Sequence, residues 1–402
     1  MHNTKFRLDI DTRKIVIFGA GKIGRSFIGQ LFGCAGYRVV FVDVDNLLVE
    51  RLNARGSYPV VIKGDREEEM IVPNVSAISA FEVEKVTEAV ASAGILSVNV
   101  GKNALIRVIP VIAEGLKIRF RQDPDAALDI ILAENMRDAA QFVREQLKLS
   151  LPEDYPIGRL VGLVETSIGK MVPLMPISEM EKDPLMVFAE PYNSLILDRK
   201  GFRSQIPDVK GLSPKENIKA WVDRKAFIHN LGHATAAYFG YFLHPELINM
   251  YEILDDPEVL HFTRSVMLQS AAVLVKCYPD DFSLKDLELH TDDLIARFRN
   301  KALKDTVFRV GQDLTRKLGD GDRFMGAVRM AKENEMPCDL IIKAMSYGFF
   351  FRATDEEGRA TPSDIEFLEQ LKADFVQTMT GVLHLHPETD KGLIETLKTY
   401  YY

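Results

Sequence analysis

The chain is 402 residues long, enough at roughly 150 residues per domain for two or three domains that need no disulfide or metal staple to build a core. Hydrophobic residues make up 47%, charged residues 27%, and 50 basic against 58 acidic residues leave a net charge of −8, which argues against a nucleic-acid binder working by broad attraction. Three widely spaced cysteines (Cys34, Cys277, Cys338) exclude a CxxC…CxxC zinc framework and suit a reducing compartment.

The first fourteen residues are too polar for a secretory leader, and no run reaches the ~18–20 apolar residues of a membrane span. A cytoplasmic protein is expected. Residues 14–18 (Lys-Ile-Val-Ile-Phe) read as a buried parallel strand. Gly19-Ala20-Gly21-Lys22-Ile23-Gly24 follows, then a predicted helix over 26–35 stopped by Gly36, then a second strand over 37–42 ending at Asp43. A dinucleotide site requires this arrangement. Gly19 permits the tight turn, Gly21 lets the backbone approach a pyrophosphate, and Gly24 lets the helix pack closely on the strand. The helix N-terminus offers unpaired N–H groups to the phosphates. Asp43, 24 residues after Gly19, is placed to accept hydrogen bonds from ribose hydroxyls and to repel a 2′-phosphate, so NAD is favoured over NADP.

The acidic run 67–69 reads as a solvated loop or helix end. Further strands are predicted over 95–100, 128–133 and 160–165. The first leads through Gly101-Lys102-Asn103 into a helix, which adds Gly101 and Asn103 to the expected cofactor contacts. Beyond about 205 the pattern changes. Pro207, Gly211 and Pro214 mark a boundary. Apolar residues then recur at helical spacing over 218–242, 259–277, 284–299, 339–351 and 365–383. The expected architecture is α/β: an N-terminal Rossmann-type doubly wound sheet with extensions over 1–205, plus a mainly α-helical C-terminal domain over 206–402, the active site lying in the crevice between them.

The densest polar constellation is Lys225, His229, Asn230 and His233. On an α-helix with Lys225 at zero, His229 falls at about 40°, His233 at about 80° and Asn230 at about 140°. Gly232 is expected to leave room for a ligand beside Lys225. His229 and His233 have the i, i+4 spacing of metal ligands, but Asn230 stands where a zincin helix carries glutamate, so no metal is expected. Each histidine taken alone also reads as a hydrogen-bonded core or cap residue, Lys225 as a solvated helix residue, and Asn135 as a helix cap.

These residues carry a family resemblance. Residues 18–29, 100–105 (Val-Gly-Lys-Asn-Ala-Leu), 133–137 (Ala-Glu-Asn-Met-Arg), the spacing Lys225-x4-Asn230-x2-His233 and residues 297–317 resemble the polyol-specific long-chain dehydrogenases in order, over about residues 14–330. The last segment is most similar to the phosphate-using branch. The resemblance implies NAD-dependent oxidation of a secondary alcohol, with a hexitol phosphate and a ketose phosphate (mannitol 1-phosphate and fructose 6-phosphate) as lead pair. It implies Lys225 as general acid/base, Asn135 and Asn230 as holders of the reacting oxygen, and His233 as the group orienting the substrate. Arg309, Lys317 and Asn300 are the expected substrate contacts, with the phosphate among Arg297, Arg299, Arg309, Arg316 and Lys317; His229 stands where the family carries an apolar residue and is expected as a substrate contact peculiar to this chain. A free lysine with a pKa of about 10.4 is a poor base, so burial and nearby cations are expected to lower it.

The sequence departs from the family at residues 168–170 (Ile-Gly-Lys), where Gly169 replaces an expected acid that contacts a substrate hydroxyl. An unphosphorylated hexitol or a hexonate is therefore the alternative substrate. A non-catalytic NAD sensor and a metal enzyme using His229 and His233 are the alternatives of other classes. The expected partners are a small sugar alcohol or its phosphate, with no nucleic acid or membrane, in a monomer or homodimer.

Overall fold

The computed structural model describes residues 9–402 except Asp65, Asn135 and Leu174, and only the backbone of Lys102. The chain forms two compact units, Met1–Ile218 and Lys219–Tyr402. The first carries the strands β1 (Asp11–Phe18), β2 (Arg38–Asp43), β3 (Tyr58–Lys63), β4 (Glu67–Val72), β5 (Val75–Ser79), β6 (Ala93–Val98), β7 (Leu128–Leu132), β8 (Val161–Ser167), β9 (Val187–Ala189), β10 (Leu195–Asp198) and β11 (Leu212–Lys215). They build an eight-stranded sheet in the order β11-β10-β8-β7-β6-β1-β2-β5 and a small sheet β4-β3-β9.

The six strands β5-β2-β1-β6-β7-β8 are mutually parallel, in the Rossmann order 3-2-1-4-5-6. Strand order reverses between β1 and β6, which opens a crevice at their carboxyl ends. Phe18 pairs with both Val42 and Val98, so β1, β2 and β6 end level and their loops emerge together. Alternate residues of β1 serve opposite faces. Ile15 and Ile17 pack with Phe27 and Phe32 on one side. Val16 and Phe18 pack with Leu105 and Ile109 on the other. Both faces are covered, which is why these strands read as near-continuous apolar runs.

The strands predicted from apolar runs coincide with β1, β2, β6, β7 and β8 to within a few residues. The acidic run 67–69 is a correction: it lies in β4, an edge strand paired antiparallel to β3 with its glutamates exposed. An edge strand keeps its charged side chains in water while its backbone pairs on one side, so charge does not exclude strand there. The predicted helix over 26–35 is built of a wide turn, Gly24–Gly29, with i→i+5 hydrogen bonding, and an α-helix, Gln30–Cys34. The compact units divide after β11, whereas the sequence reading places the change after residue 205; β11 pairs in parallel with β10.

In the second unit, apolar spacing located the helices Pro257–Cys277, Leu284–Phe298, Asp339–Tyr347 and Pro362–Ala373. The stretch 218–242 is one rod divided by a second wide turn: Ile218–Arg224, then Lys225–Asn230, then Leu231–Leu243. The stretch 365–383 breaks at Asp374, whose side chain accepts from the Gln377 amide and starts a new turn. No helix among the described residues is long and apolar enough to cross a membrane.

The glycine turn makes a stability prediction. A Cβ on Gly24 would sit 2.0 Å from the Gly19 carbonyl oxygen, whereas one on Gly21 meets nothing within 4 Å. Gly24→Ala should lower unfolding free energy by about 1–3 kcal/mol. Gly21→Ala should stay within about 0.5 kcal/mol of the unsubstituted protein. Urea unfolding curves of the two variants check the contrast.

Candidate functional site

In the first unit the glycine turn is gripped through Ala20. Its N–H donates to Asp43 Oδ2 at 2.6 Å, and its carbonyl accepts from Arg25 Nε at 2.7 Å. Arg25 is buried and also donates to the Leu185 carbonyl at 2.7 Å. Asp43 Oδ1 accepts from the Asp45 N–H at 3.0 Å. Gly19 has φ +93°, and a Cβ there would lie 2.7 Å from the Asn99 carbonyl oxygen. Lys22 is exposed and Ile23 packs partly on the core. The Gly101 N–H donates to Glu134 Oε1 at 2.8 Å, tying the second loop down; Asn103 is exposed. Burial raises the Glu134 pKa against the pull of the Gly101 and Val100 amides. Open space over Gly21, tight packing beneath Gly19 and Gly24, and a carboxylate at the end of β2 fit a dinucleotide. Asn135 lies outside the described residues.

The second unit holds the lysine signature on the wide turn Lys225–Asn230. The Leu231 N–H reaches back to the Ala226 carbonyl, five residues earlier. A turn of this width advances each residue by less than the 100° of an α-helix, which brings Asn230 round toward the Lys225 side. The expected fan of angles is corrected accordingly. Lys225 and Asn230 are half-buried and His229 is buried. Arg323 Nη1 donates to the Asn230 carbonyl at 3.3 Å, and Arg323 Nε donates to Asp322 Oδ1 at 2.8 Å. Burial lowers the Lys225 pKa to about 8; Arg323 and Arg316 push the same way, and Asp322 opposes them. Lys317 is buried, donates from Nζ to the Val310 carbonyl at 2.5 Å, and is pushed down to about 7 by burial and then by Arg323 and Arg316.

His233 stacks on Phe298 at 4.3 Å between ring centroids with the planes 5° apart. Its Nε2 lies 3.4 Å from Asp305 Oδ2. His229 packs against the same two rings, 6.2 Å from His233 and 5.5 Å from Phe298. Burial, then Arg297 and His233, hold its pKa well below the usual histidine range. Among the described residues no group of three or more His, Cys, Asp or Glu is disposed to hold a metal.

One expectation is corrected here. Gly232 does not leave room for a ligand: a Cβ there would lie 2.4 Å from Met267 Sδ, so its small size serves helix packing. Of the basic residues expected around a phosphate, three arginines are paired with acids and Lys317 with a backbone carbonyl. Arg299 pairs with Asp255 at 2.7 Å, Arg309 with Asp305, and Arg316 with Asp313 and Asp322. Arg297 stands 3.8 Å from Asp293. Asn300 caps the short turn Lys301–Leu303 through Oδ1, which accepts from the Ala302 N–H. In the first unit, Lys170 of the divergent Ile-Gly-Lys segment is buried, with Nζ 2.8 Å from Asn193 Oδ1 and 3.1 Å from Gln30 Oε1.

Sequence reasoning missed Arg25, Glu134, Asp305, Asp322 and Arg323. Asp305 had a signal, its i, i+4 spacing to Arg309. Arg323 had none, because it reaches Asn230 across 93 residues of chain.

The strand order, the glycine turn and the lysine-bearing helical unit together define a two-unit, dinucleotide-dependent dehydrogenase. The chain belongs to the mannitol dehydrogenase family: residues 13–211 match the mannitol dehydrogenase Rossmann domain and residues 217–391 the mannitol dehydrogenase C-terminal domain. That membership places it among the polyol dehydrogenases. Its fold is shared with mannitol 2-dehydrogenase of Pseudomonas fluorescens, solved with NAD and D-mannitol, at 16% identity and a TM-score of 0.75 over 96% of this chain and 91% of that one. It is shared also with a D-sorbitol dehydrogenase in substrate-free form, at 17% identity and a TM-score of 0.78 over 98% of this chain and 93% of that one.

Arg323 is the cation that most depresses the Lys225 amine. Arg323→Gln should therefore raise the Lys225 pKa from about 8 toward the ordinary lysine value. NMR titration of ¹³C-methylated lysines, with Lys225→Arg to assign the resonance, reads the shift; an unchanged value contradicts the account.

Proposed function

We propose that the chain is an NAD-dependent dehydrogenase interconverting a hexitol phosphate and a ketose phosphate, with mannitol 1-phosphate and fructose 6-phosphate as the lead pair. In that reading it is most like mannitol-1-phosphate 5-dehydrogenase. The observation that carries it is the Lys225 amine, half-buried, beside Arg323 and lowered to about 8, on the same helical stretch as Asn230 and His233. An amine near neutrality serves as base in one direction and acid in the other. NAD supplies the hydride acceptor. Lys225 takes the hydroxyl proton during oxidation and returns it during reduction. The amide groups of Asn230 and, by family resemblance, Asn135 hold the developing alkoxide. His233 orients the substrate through a hydroxyl, and Asp43 selects NAD by excluding a 2′-phosphate.

A second reading is an unphosphorylated hexitol or a hexonate. It is favoured by the pairing of Arg299, Arg309 and Arg316 with carboxylates, since a dianion would have to displace those partners. NADH oxidation with fructose 6-phosphate, fructose and tagaturonate separates the two. Turnover of the phosphate is expected, and turnover confined to fructose or tagaturonate transfers the assignment to the second reading.

Lys225→Ala should cost about 10²–10⁴-fold in kcat while leaving the NADH dissociation constant unchanged, read by steady-state kinetics and fluorescence titration. Oxidation needs the neutral amine, so kcat/KM for the polyol should rise with pH through about 8 and level off above it. Ketose reduction needs the ammonium form and should fall over the same range. Asp43→Ala should weaken NAD and relieve the exclusion of NADP; an unsubstituted enzyme that already prefers NADP overturns that role.

A further inference from the structure

Asp305 sits one residue before Thr306, the cap of the short helix Val307–Gly311, and is only 5% exposed. Backbone pairing pins it in place. Its carbonyl accepts from the Met250 N–H at 2.9 Å, the Val307 N–H donates to the Ile248 carbonyl at 2.8 Å, and Asn249 and Thr306 form an antiparallel bridge. The carboxylate faces His233, which the proposed reading assigns to substrate, and Arg309, a substrate contact expected from the sequence. Oδ1 accepts from Arg309 Nε, and Oδ2 pairs with the Arg309 Nη2. Oδ2 also faces His233 Nε2 at 3.4 Å. Nε2 is buried and has no partner at hydrogen-bond geometry among the described residues, so the carboxylate it faces at 3.4 Å is the acceptor on that side, and the ring is stacked on Phe298.

The chemistry of the pair decides which ring nitrogen holds the proton. An ionised carboxylate only accepts, and a neutral imidazole has one donor and one acceptor. Burial lowers the His233 pKa and so keeps the ring neutral. Burial works against the charged form of Asp305, but His233 and Arg309 outweigh it and hold the carboxyl at about 2. The nitrogen facing Asp305 therefore carries the hydrogen, and the other is left with a lone pair.

We infer that Asp305 is a positioning residue: by facing Nε2 of His233 as an acceptor, so that the ring keeps its proton there, while clamping Arg309, it leaves Nδ1 of His233 as an acceptor for a polyol hydroxyl. The inference deepens the proposed function and rests on it. It specifies a free hydroxyl at the substrate carbon facing His233, since an O-methyl group or a carbonyl there has no proton to donate.

The first test needs no substitution of Asp305. In protein labelled with ¹⁵N-histidine, with His233→Gln to assign the ring among the eight histidines, His233 should show a protonated Nε2 and a bare Nδ1 near neutral pH. A protonated Nδ1, or an imidazolium, overturns the inference. The second test is kinetic. Asp305→Asn should raise KM for the polyol about tenfold or more with a smaller fall in kcat and an unchanged NADH dissociation constant, and Asp305→Glu should recover part of the loss. The double variant with His233→Gln should be about as impaired as the worse single variant; losses that multiply independently overturn the coupling. The Nε2–H form in an enzyme that turns over no polyol removes the proposed function. The Nδ1–H form in an enzyme with normal turnover removes only this inference.

Discussion

Withdrawal of one amine from water beside fixed positive charge is the constraint around which the helical unit is organised. Burial does most to lower the Lys225 pKa, and Arg323 and Arg316 add to it. Arginine suits that task because it stays charged under any condition the protein meets, so its field cannot be titrated away. The carboxylates keep the cations in place. Asp322 receives Arg323, and Asp313 and Asp322 receive Arg316. Asp322 also pulls the Lys225 pKa back up, so the value near 8 is a balance among three charges and a loss of hydration. Lys317 responds to burial and the same two arginines in the same direction.

Backbone geometry sets where these groups point. Both chemically distinctive segments lie on turns wider than an α-helix: Gly24–Gly29 after the glycine turn, and Lys225–Asn230 at the lysine signature. A wide turn disrupts the regular hydrogen-bond ladder, and an outside donor supports each one. The Tyr58 hydroxyl donates to the Arg25 carbonyl at 2.8 Å, and Arg323 donates to the Asn230 carbonyl at 3.3 Å. Such turns persist where surrounding contacts over-determine them, which is one reason they gather at functional sites.

Much of the first unit was legible because its signals are local. An apolar run, a glycine turn at fixed spacing and an acid at the end of the next strand each occupy a few consecutive residues, and β1, β2 and Asp43 stand where that pattern puts them. The same local reading failed for residues 67–69, since three glutamates do not reveal that a strand edge, with water on one side, will accept them. It failed for Gly232 too, because the atom that fills the space beside it, Met267 Sδ, comes from another helix.

What the residue order settled alone was the class of fold, the dinucleotide turn and the family, since each depends on spacing along one stretch of chain. Folding in three dimensions decided the protonation chemistry. Arg323 reaches Asn230 from a distant helix, Asp305 meets His233 from beyond the next two long helices, and Arg299 and Arg309 are paired with Asp255 and Asp305. A pKa depends on burial and on charges within a few ångströms, and neither is a property of sequence neighbours.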